Sequence, residues 1–434
     1  MLNLEKNKSG KTNWDDFASN SDKSTTSTKK SDTQSNDAPP ALAAISIAGV
    51  KLSNANILWS DATTSEHYQL QNFNLNTDPL VPGEPTALDM NFDLISDKPQ
   101  AKAHITLDTR VMVDAKNQHY MLTDLNLTTQ ASGKDLPFSQ TDLTLSGDIN
   151  ADMVKQLLTI DKLTLSAKAD KGTQSIDAKL SAQVSSNLAN QQTTIKDFVL
   201  SADVVDPSLP SGKATLDLTA DISADMKQQT MTLSALFINA YDLIINGDIK
   251  TTKLLSGNPN FVGNIAVKPF NLRQLANHLS IELPVMADDT TLELVQFSTE
   301  LEGSSKHVNA KQLKLTLDQS KLSGRLAINN FAKPAFNFKL ALDEIDADRY
   351  LPPVSKDETP KVASPAAVAA AGANELPLDA LRQIDAKGTL DIGKLKVSGT
   401  HSEKIHIEIN AAKGNIKLSP LSANMYQGQY QGNI

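Results

Sequence analysis

The sequence predicts a mainly β fold: a long antiparallel, meandering sheet with a few short amphipathic helices. Three observations point there. Apolar and polar residues alternate with a period of two along much of the chain, one stretch repeats itself without gaps, and glycines recur inside the alternating runs.

The alternation is clearest in TALDMNFDLI, where Leu88, Met90, Phe92 and Leu94 point one way and Asp89, Asn91 and Asp93 the other. It returns in ATLDLTADI (Leu216, Leu218, Ala220, Ile222), QLKLTLD (Leu313, Leu315, Leu317), FNFKLALD (Phe336, Phe338, Leu340, Leu342) and KIHIEIN (Ile405, Ile407, Ile409). Each such strand has one apolar and one polar face. The stretch LTLSGDINADMVKQ (Leu143 to Gln156) aligns on LDLTADISADMKQQ (Leu216 to Gln229), and both read as a strand, a turn near Ala-Asp-Met and a return strand. A repeated hairpin implies a sheet that grows by adding copies. Gly147, Gly247, Gly324 and Gly399 each follow Ser or Asn in such runs, where glycine marks a bulge, a bend or a hairpin turn; recurring bulges would let a long sheet curl.

Helices are few. NLRQLANHLS puts Leu272, Leu275, Ala276 and Leu279 on one face with Asn271 as N-cap, and PLDALRQI forms another short turn with Leu378, Leu381 and Ile384 inward. Composition divides the chain into an upstream strand region at 1–17, a Ser/Thr/Asp/Lys-rich disordered insertion at 18–40 and a main β segment at 41–351 with its helix near 271–280. A flexible Pro/Ala-rich linker at 352–375 and a second β segment at 376–434 follow.

With 434 residues, 40% hydrophobic and 5% aromatic, the chain buries substantial apolar surface in many half-exposed strands. Its net charge of −9, without a Lys/Arg block, excludes a nucleic-acid partner. The absence of cysteine removes thiolate chemistry, disulfides and Cys-based metal sites. No signal-length apolar stretch opens the chain, and no run of about 18 apolar residues suggests a membrane span. The chain is therefore either cytoplasmic or a piece of something larger.

Nothing in the sequence points to catalysis, a cofactor or a metal. The seven histidines form no HExxH pattern, and His401 and His406 fall on opposite faces of a regular strand. The Asp-rich DEIDADRY lacks the glycine and terminal Glu of a calcium loop, and no phosphate loop or GxSxG elbow occurs. Asp288 and Asp289 are one candidate acid/base pair, with no aromatic cluster around them to form a sugar cleft.

Five separated motifs, in order, resemble the AsmA family of bacterial envelope proteins, relatives of TamB and of chorein-type bridge proteins. They are SGKTNWDD (Ser9 to Asp16), VKLSNANILWSD (Val50 to Asp61), VKPFNLRQLANHL (Val267 to Leu279), LDEIDADRYLPP (Leu342 to Pro353) and GNIKLSPLSANMYQGQYQG (Gly414 to Gly432). The departures are the two low-complexity insertions and the lack of an N-terminal membrane helix. The resemblance implies a repeating β-groove in the periplasm, anchored in the inner membrane by a helix missing here. It also implies a part in phospholipid transport between membranes and in outer-membrane assembly. Further strands should follow Leu418 to Ile434, leaving the second segment truncated at its C-terminal edge.

On that reading the partners are phospholipid acyl chains, the inner membrane, and outer-membrane or envelope proteins. A sheet of about 20 strands spaced roughly 4.8 Å apart extends on the order of 100 Å. Moving a phospholipid through water exposes about 30 methylenes, a gross cost near 24 kcal/mol, which an apolar groove offsets. The groove candidates are Leu88, Met90, Phe92, Leu216, Leu218, Leu315, Leu317, Phe336, Phe338, Leu340 and Ile407. The alternative is a non-enzymatic scaffold, such as a closed β-sandwich, that influences outer-membrane protein assembly through protein contacts.

Overall fold

The computed structural model describes residues 1–15, 48–353, 385–412, 414–426 and 428–433. The expected insertion at 18–40, most of the linker at 352–375 and the helical turn at 377–384 lie outside them. The chain divides into two compact units, Met1–Lys227 and Gln228–Ile434.

The first unit contains β1 (Leu2–Lys6), β2 (Lys51–Asp61), β3 (Glu66–Thr77), β4 (Thr86–Asp97), β5 (Gln100–Asp114), β6 (His119–Gly133), β7 (Gln140–Asp152), β8 (Leu157–Lys171), β9 (Gln174–Asn187), β10 (Gln192–Val205) and β11 (Lys213–Asp225). From β2 onward each strand pairs antiparallel with the next, as expected for a meander. The exception is β1, which runs parallel to β2. Asn13 fastens the turn after β1: its side chain accepts from Glu5 N at 2.9 Å and donates to Asn3 O at 2.9 Å.

The second unit contains β12 (Thr230–Ala240), β13 (Leu243–Thr252), β14 (Asn260–Phe270), α1 (Leu272–His278), β15 (Val295–Ser304), β16 (His307–Leu317), β17 (Ser320–Asn329) and β18 (Ala335–Asp346). The 3-10 turn η1 (Ala347–Arg349), β19 (Asp385–Val397), β20 (Thr400–Ala412), β21 (Asn415–Met425) and β22 (Gly428–Gly432) complete it. It too is an antiparallel meander with one parallel pair, β18 with β19. In neither unit does the sheet close on itself, so neither is a closed sandwich. Helix α1 begins as expected, with Asn271 Oδ1 accepting from Gln274 N at 3.0 Å.

Three of the four glycines sit opposite bulges rather than within them. Gly147 faces Leu125 beside Asp124 (φ 53°), Gly247 faces Leu236 beside Ala235 (φ 52°), and Gly324 faces Leu313 beside Gln312 (φ 47°). The space left by each missing side chain is filled from the other neighbour, by backbone of β8 at Gly147, of β14 at Gly247 and of β18 at Gly324. In two cases the following aspartate satisfies the bulged N–H: Asp148 Oδ1 accepts from Asp124 at 2.8 Å and Asp248 Oδ1 from Ala235 at 3.1 Å. Ala220-Asp221 repeats the device at Asp197, at 2.9 Å. Gly399 instead forms the turn between β19 and β20, with φ 71°.

The self-match is a repeated hairpin, and its turns follow a pattern. The offset from Leu143 to Leu216 also carries DAKNQ (Asp114 to Gln118) onto NLANQ (Asn187 to Gln191) and DMVKQ (Asp152 to Gln156) onto DMKQQ (Asp225 to Gln229). The first side chain caps the turn, as Asp114 does for Asn117 N at 3.0 Å and Asp152 for Lys155 N at 2.9 Å. The closing glutamines all have positive φ, and their carbonyls accept from the next turn but one, Met153 N to Gln118 O and Met226 N to Gln191 O, each at 3.0 Å.

Candidate functional site: two uninterrupted apolar faces

Directly opposed residues share a face, so the register traces each surface strand by strand. In the first unit one row runs Leu75, Met90, Leu107, Leu127, Leu145, Leu165, Leu180, Leu200, Leu218 across nine strands, β3 to β11. In the second, Ile238, Ile245, Val267, Phe297, Leu315, Leu322, Leu342, Ile392 and Ile405 form the equivalent row from β12 to β20. Each row spans about 38 Å at the usual strand spacing. The bulges keep both in phase. Each adds one residue where alternation would otherwise carry the apolar set to the opposite face.

All eleven groove candidates lie on these two faces. Leu88, Met90, Phe92, Leu216 and Leu218 belong to the first unit; Leu315, Leu317, Phe336, Phe338, Leu340 and Ile407 belong to the second, where Leu340 opposes Leu390 and Leu390 opposes Ile407. None is fully buried. Leu165, in the middle of the first row, is 39% exposed. Among the described residues no second layer of structure covers either face. The tightest packing is a small cluster in the second unit, where Ile392, Ile405 and Ala423 are enclosed by Leu342, Leu390, Leu395, Ile407 and Met425.

The opposite faces carry Asp, Asn, Lys, Thr and Ser, joined in cross-strand pairs such as Lys162 with Asp148 at 2.9 Å and Lys311 with Glu302 at 2.6 Å. These exposed pairs fix register more than they add stability. His406 bonds Asp391 at 2.6 Å. The regular alternation expected between His401 and His406 is broken by Lys404, whose φ of 49° inserts a bulge. Among the described residues no three potential metal ligands converge.

Two of the sequence motifs meet at the rim of the second unit, around α1. Arg273 donates to Thr291 O at 2.6 Å, Thr291 Oγ1 at 2.8 Å and Asp288 O at 3.2 Å, and Thr291 is completely buried. Arg349 pairs with Asp288 at 2.6 Å, while Tyr350 donates to Asp318 at 2.6 Å. Asp318 also accepts the N–H groups of Leu292, Glu293 and Leu294. Burial and that bond to Asp318 raise the Tyr350 hydroxyl pKa. The bonds from Thr290, followed by Arg349, hold the Asp288 carboxyl down at about 2. An acid so firmly ionised is a poor proton donor, and Asp288 is instead a fastener for the 279–294 segment. These partners lie far apart in sequence, so only the motifs themselves marked them.

The profile of the AsmA family matches residues 1–434. The chain belongs to the AsmA family. AsmA proteins are envelope proteins and are in general non-enzymatic. No curated protein and no solved structure matches the chain. Among the described residues no helix is long and apolar enough to cross a membrane.

Proposed function

We propose that this AsmA protein binds phospholipid acyl chains on its two apolar faces and conducts them through the periplasm, between the inner and outer membranes, without catalysing a reaction. The observation that carries the reading is the unbroken row of Leu, Ile, Val, Met and Phe on each unit, left half-exposed and uncovered. A soluble sheet does not usually leave so long an apolar surface in water. Alkyl chains suit it because they need no directional partner, and a row of like residues gives them no preferred stopping place. Selection among acyl chains would accordingly be weak.

The test is lipid extracted from the purified protein and identified by mass spectrometry, compared with Leu218→Glu and Phe338→Glu. Each charge sits on an apolar face, and bound lipid should fall severalfold while the strand signal in circular dichroism persists. Protein that is clean of lipid, or variants that merely unfold, would remove the support. In the second case milder Leu218→Asn and Phe338→Gln variants separate cargo from folding.

A further inference from the structure

At the β1–β4 end of the first unit the apolar face changes character. Beyond Leu70 and Leu94 the next row is Trp59, Tyr68 and Ser96, directly opposed on neighbouring strands, and beyond it Lys6 opposes Asp61. The Trp59 and Tyr68 rings lie 5.3 Å apart. Lys6 Nζ is 3.0 Å from Asp61 Oδ2; Asp61 is buried while the lysine side chain stays 35% exposed. Asp61 is further bonded by Thr63 N at 2.8 Å and Thr63 Oγ1 at 2.5 Å, so its acceptor capacity is largely used.

The donors here are different. The Ser96 hydroxyl is buried and has no partner. Among the described residues neither the Trp59 indole N–H nor the Tyr68 hydroxyl makes a hydrogen bond. Buried polar groups are ordinarily satisfied, and Trp and Tyr ordinarily find partners for their polar ends. Three unfilled donors and a lysine ammonium therefore edge an apolar surface, across three strand spacings of about 14 Å. A ligand that completes them must be apolar on one side and carry several acceptors on the other.

We propose that Trp59, Tyr68, Ser96 and Lys6 form a headgroup station for a diacyl phospholipid, taking its phosphodiester and ester carbonyl oxygens while the acyl chains lie over Leu70, Leu94, Phe73 and Phe92. The inference rests on the acyl-chain reading above and adds selectivity for the polar end of the lipid. Both the phosphodiester and the esters are pure acceptors, which matches a cluster of donors. Because Asp61 already neutralises Lys6, the station does not require a net negative lipid. Trp59 and Tyr68 stand where the surface passes from apolar to polar, the position amphipathic rings favour.

Calorimetric titration of the full chain with monomeric dihexanoylphosphatidylcholine and with dihexanoylglycerol tests this. The two probes share ester and acyl groups and differ in the phosphate headgroup. Wild type should prefer the phospholipid by about tenfold, since a charge-assisted bond and its neighbours are at stake. Lys6→Gln with Tyr68→Phe, which keeps the apolar area, should abolish that preference and leave dihexanoylglycerol binding within about twofold. Ser96→Ala should weaken both probes together, because the ester carbonyls are common to them. A double variant that retains the wild-type preference overturns the station alone. Wild type that binds neither probe overturns the acyl-chain reading and the station with it. Tyr68→Phe by itself, which leaves the Lys6–Asp61 pair in place, gives a smaller shift in the same direction if the double variant fails to fold.

Discussion

Replacing Gly324 with alanine tests whether the close approach of β18 demands a glycine there. Gly324 has φ +143°, a conformation that side chains rarely adopt, and a Cβ there would overlap the Lys339 carbonyl oxygen and come within 3.0 Å of Leu340 Cα. Backbone strain of this kind costs about 1–3 kcal/mol. The overlap is with backbone of β18, which cannot rotate away as a side chain would, so relief means shifting a paired strand and costs roughly another 1–3 kcal/mol. Gly399→Ala is the control: its φ of +71° carries the strain, but nothing lies within 4 Å of the added carbon, so it should cost about 1 kcal/mol. Urea unfolding followed by circular dichroism measures both. Gly324→Ala should lower the midpoint at least twice as far as Gly399→Ala. Equal shifts would refute the close-approach argument and leave conformational freedom as the only role of Gly324.

Arg273→Met removes three hydrogen bonds around buried Thr291 and should cost about 2–4 kcal/mol, read as faster amide hydrogen exchange through residues 279–294. Asp288 has a carboxyl pKa lowered from 3.8 to about 2 in the folded chain, so its contribution is complete above pH 4 and is lost as the pH falls toward 2. Asp288→Asn should therefore flatten the loss of stability between pH 4 and 2, with little change in slope above pH 5. Asp152→Ala deletes the cap on Lys155 N and the 2.8 Å ion pair with Lys155, and should lower the urea midpoint by less than Gly324→Ala does, without altering lipid content.

The strands and their apolar faces were legible because a half-covered sheet imposes a period of two that few other structures share. Leu88, Met90 and Phe92 could be placed together from spacing alone, and the register joins them to Leu218 seven strands away. The bulges were only half legible. Glycine marked the strand opposite the bulge, whereas the bulged residues themselves, Asp124, Lys162, Asp197, Ala235 and Gln312, carry no signal because a neighbouring strand can hold residues of different types at positive φ. The parallel pairs were hidden for another reason. Each follows a long intervening segment, and alternation along a strand says nothing about its partner's direction. The Arg273 and Tyr350 fasteners, and the row of Trp59, Tyr68 and Ser96, depend on residues brought together only by folding.

The division of labour between the faces explains how such a sheet could bind mobile cargo without losing its form. Register, curvature and turn geometry are fixed by directional groups: Asp148 and Asp248 on bulged N–H groups, Asp114 and Asp152 on hairpins, and ion pairs on the polar side. The apolar face has almost no directional contacts to lose. Leu218 and Leu165 touch their neighbours through dispersion alone, and an alkyl chain can replace water over them without breaking a single hydrogen bond of the sheet. Substitutions on the two sides should consequently have separable effects. Loss of Asp148 would disturb the bulge at Asp124 and throw the apolar row out of phase, whereas Leu145→Ala, at the centre of that row, would leave the ladder intact and open a gap in the path. Comparing lipid content in Asp148→Ala and Leu145→Ala, each scaled to its loss of stability, decides whether curvature or surface limits binding. The larger deficit per unit of stability lost should belong to Leu145→Ala; the reverse order would place the control of binding in the shape of the sheet.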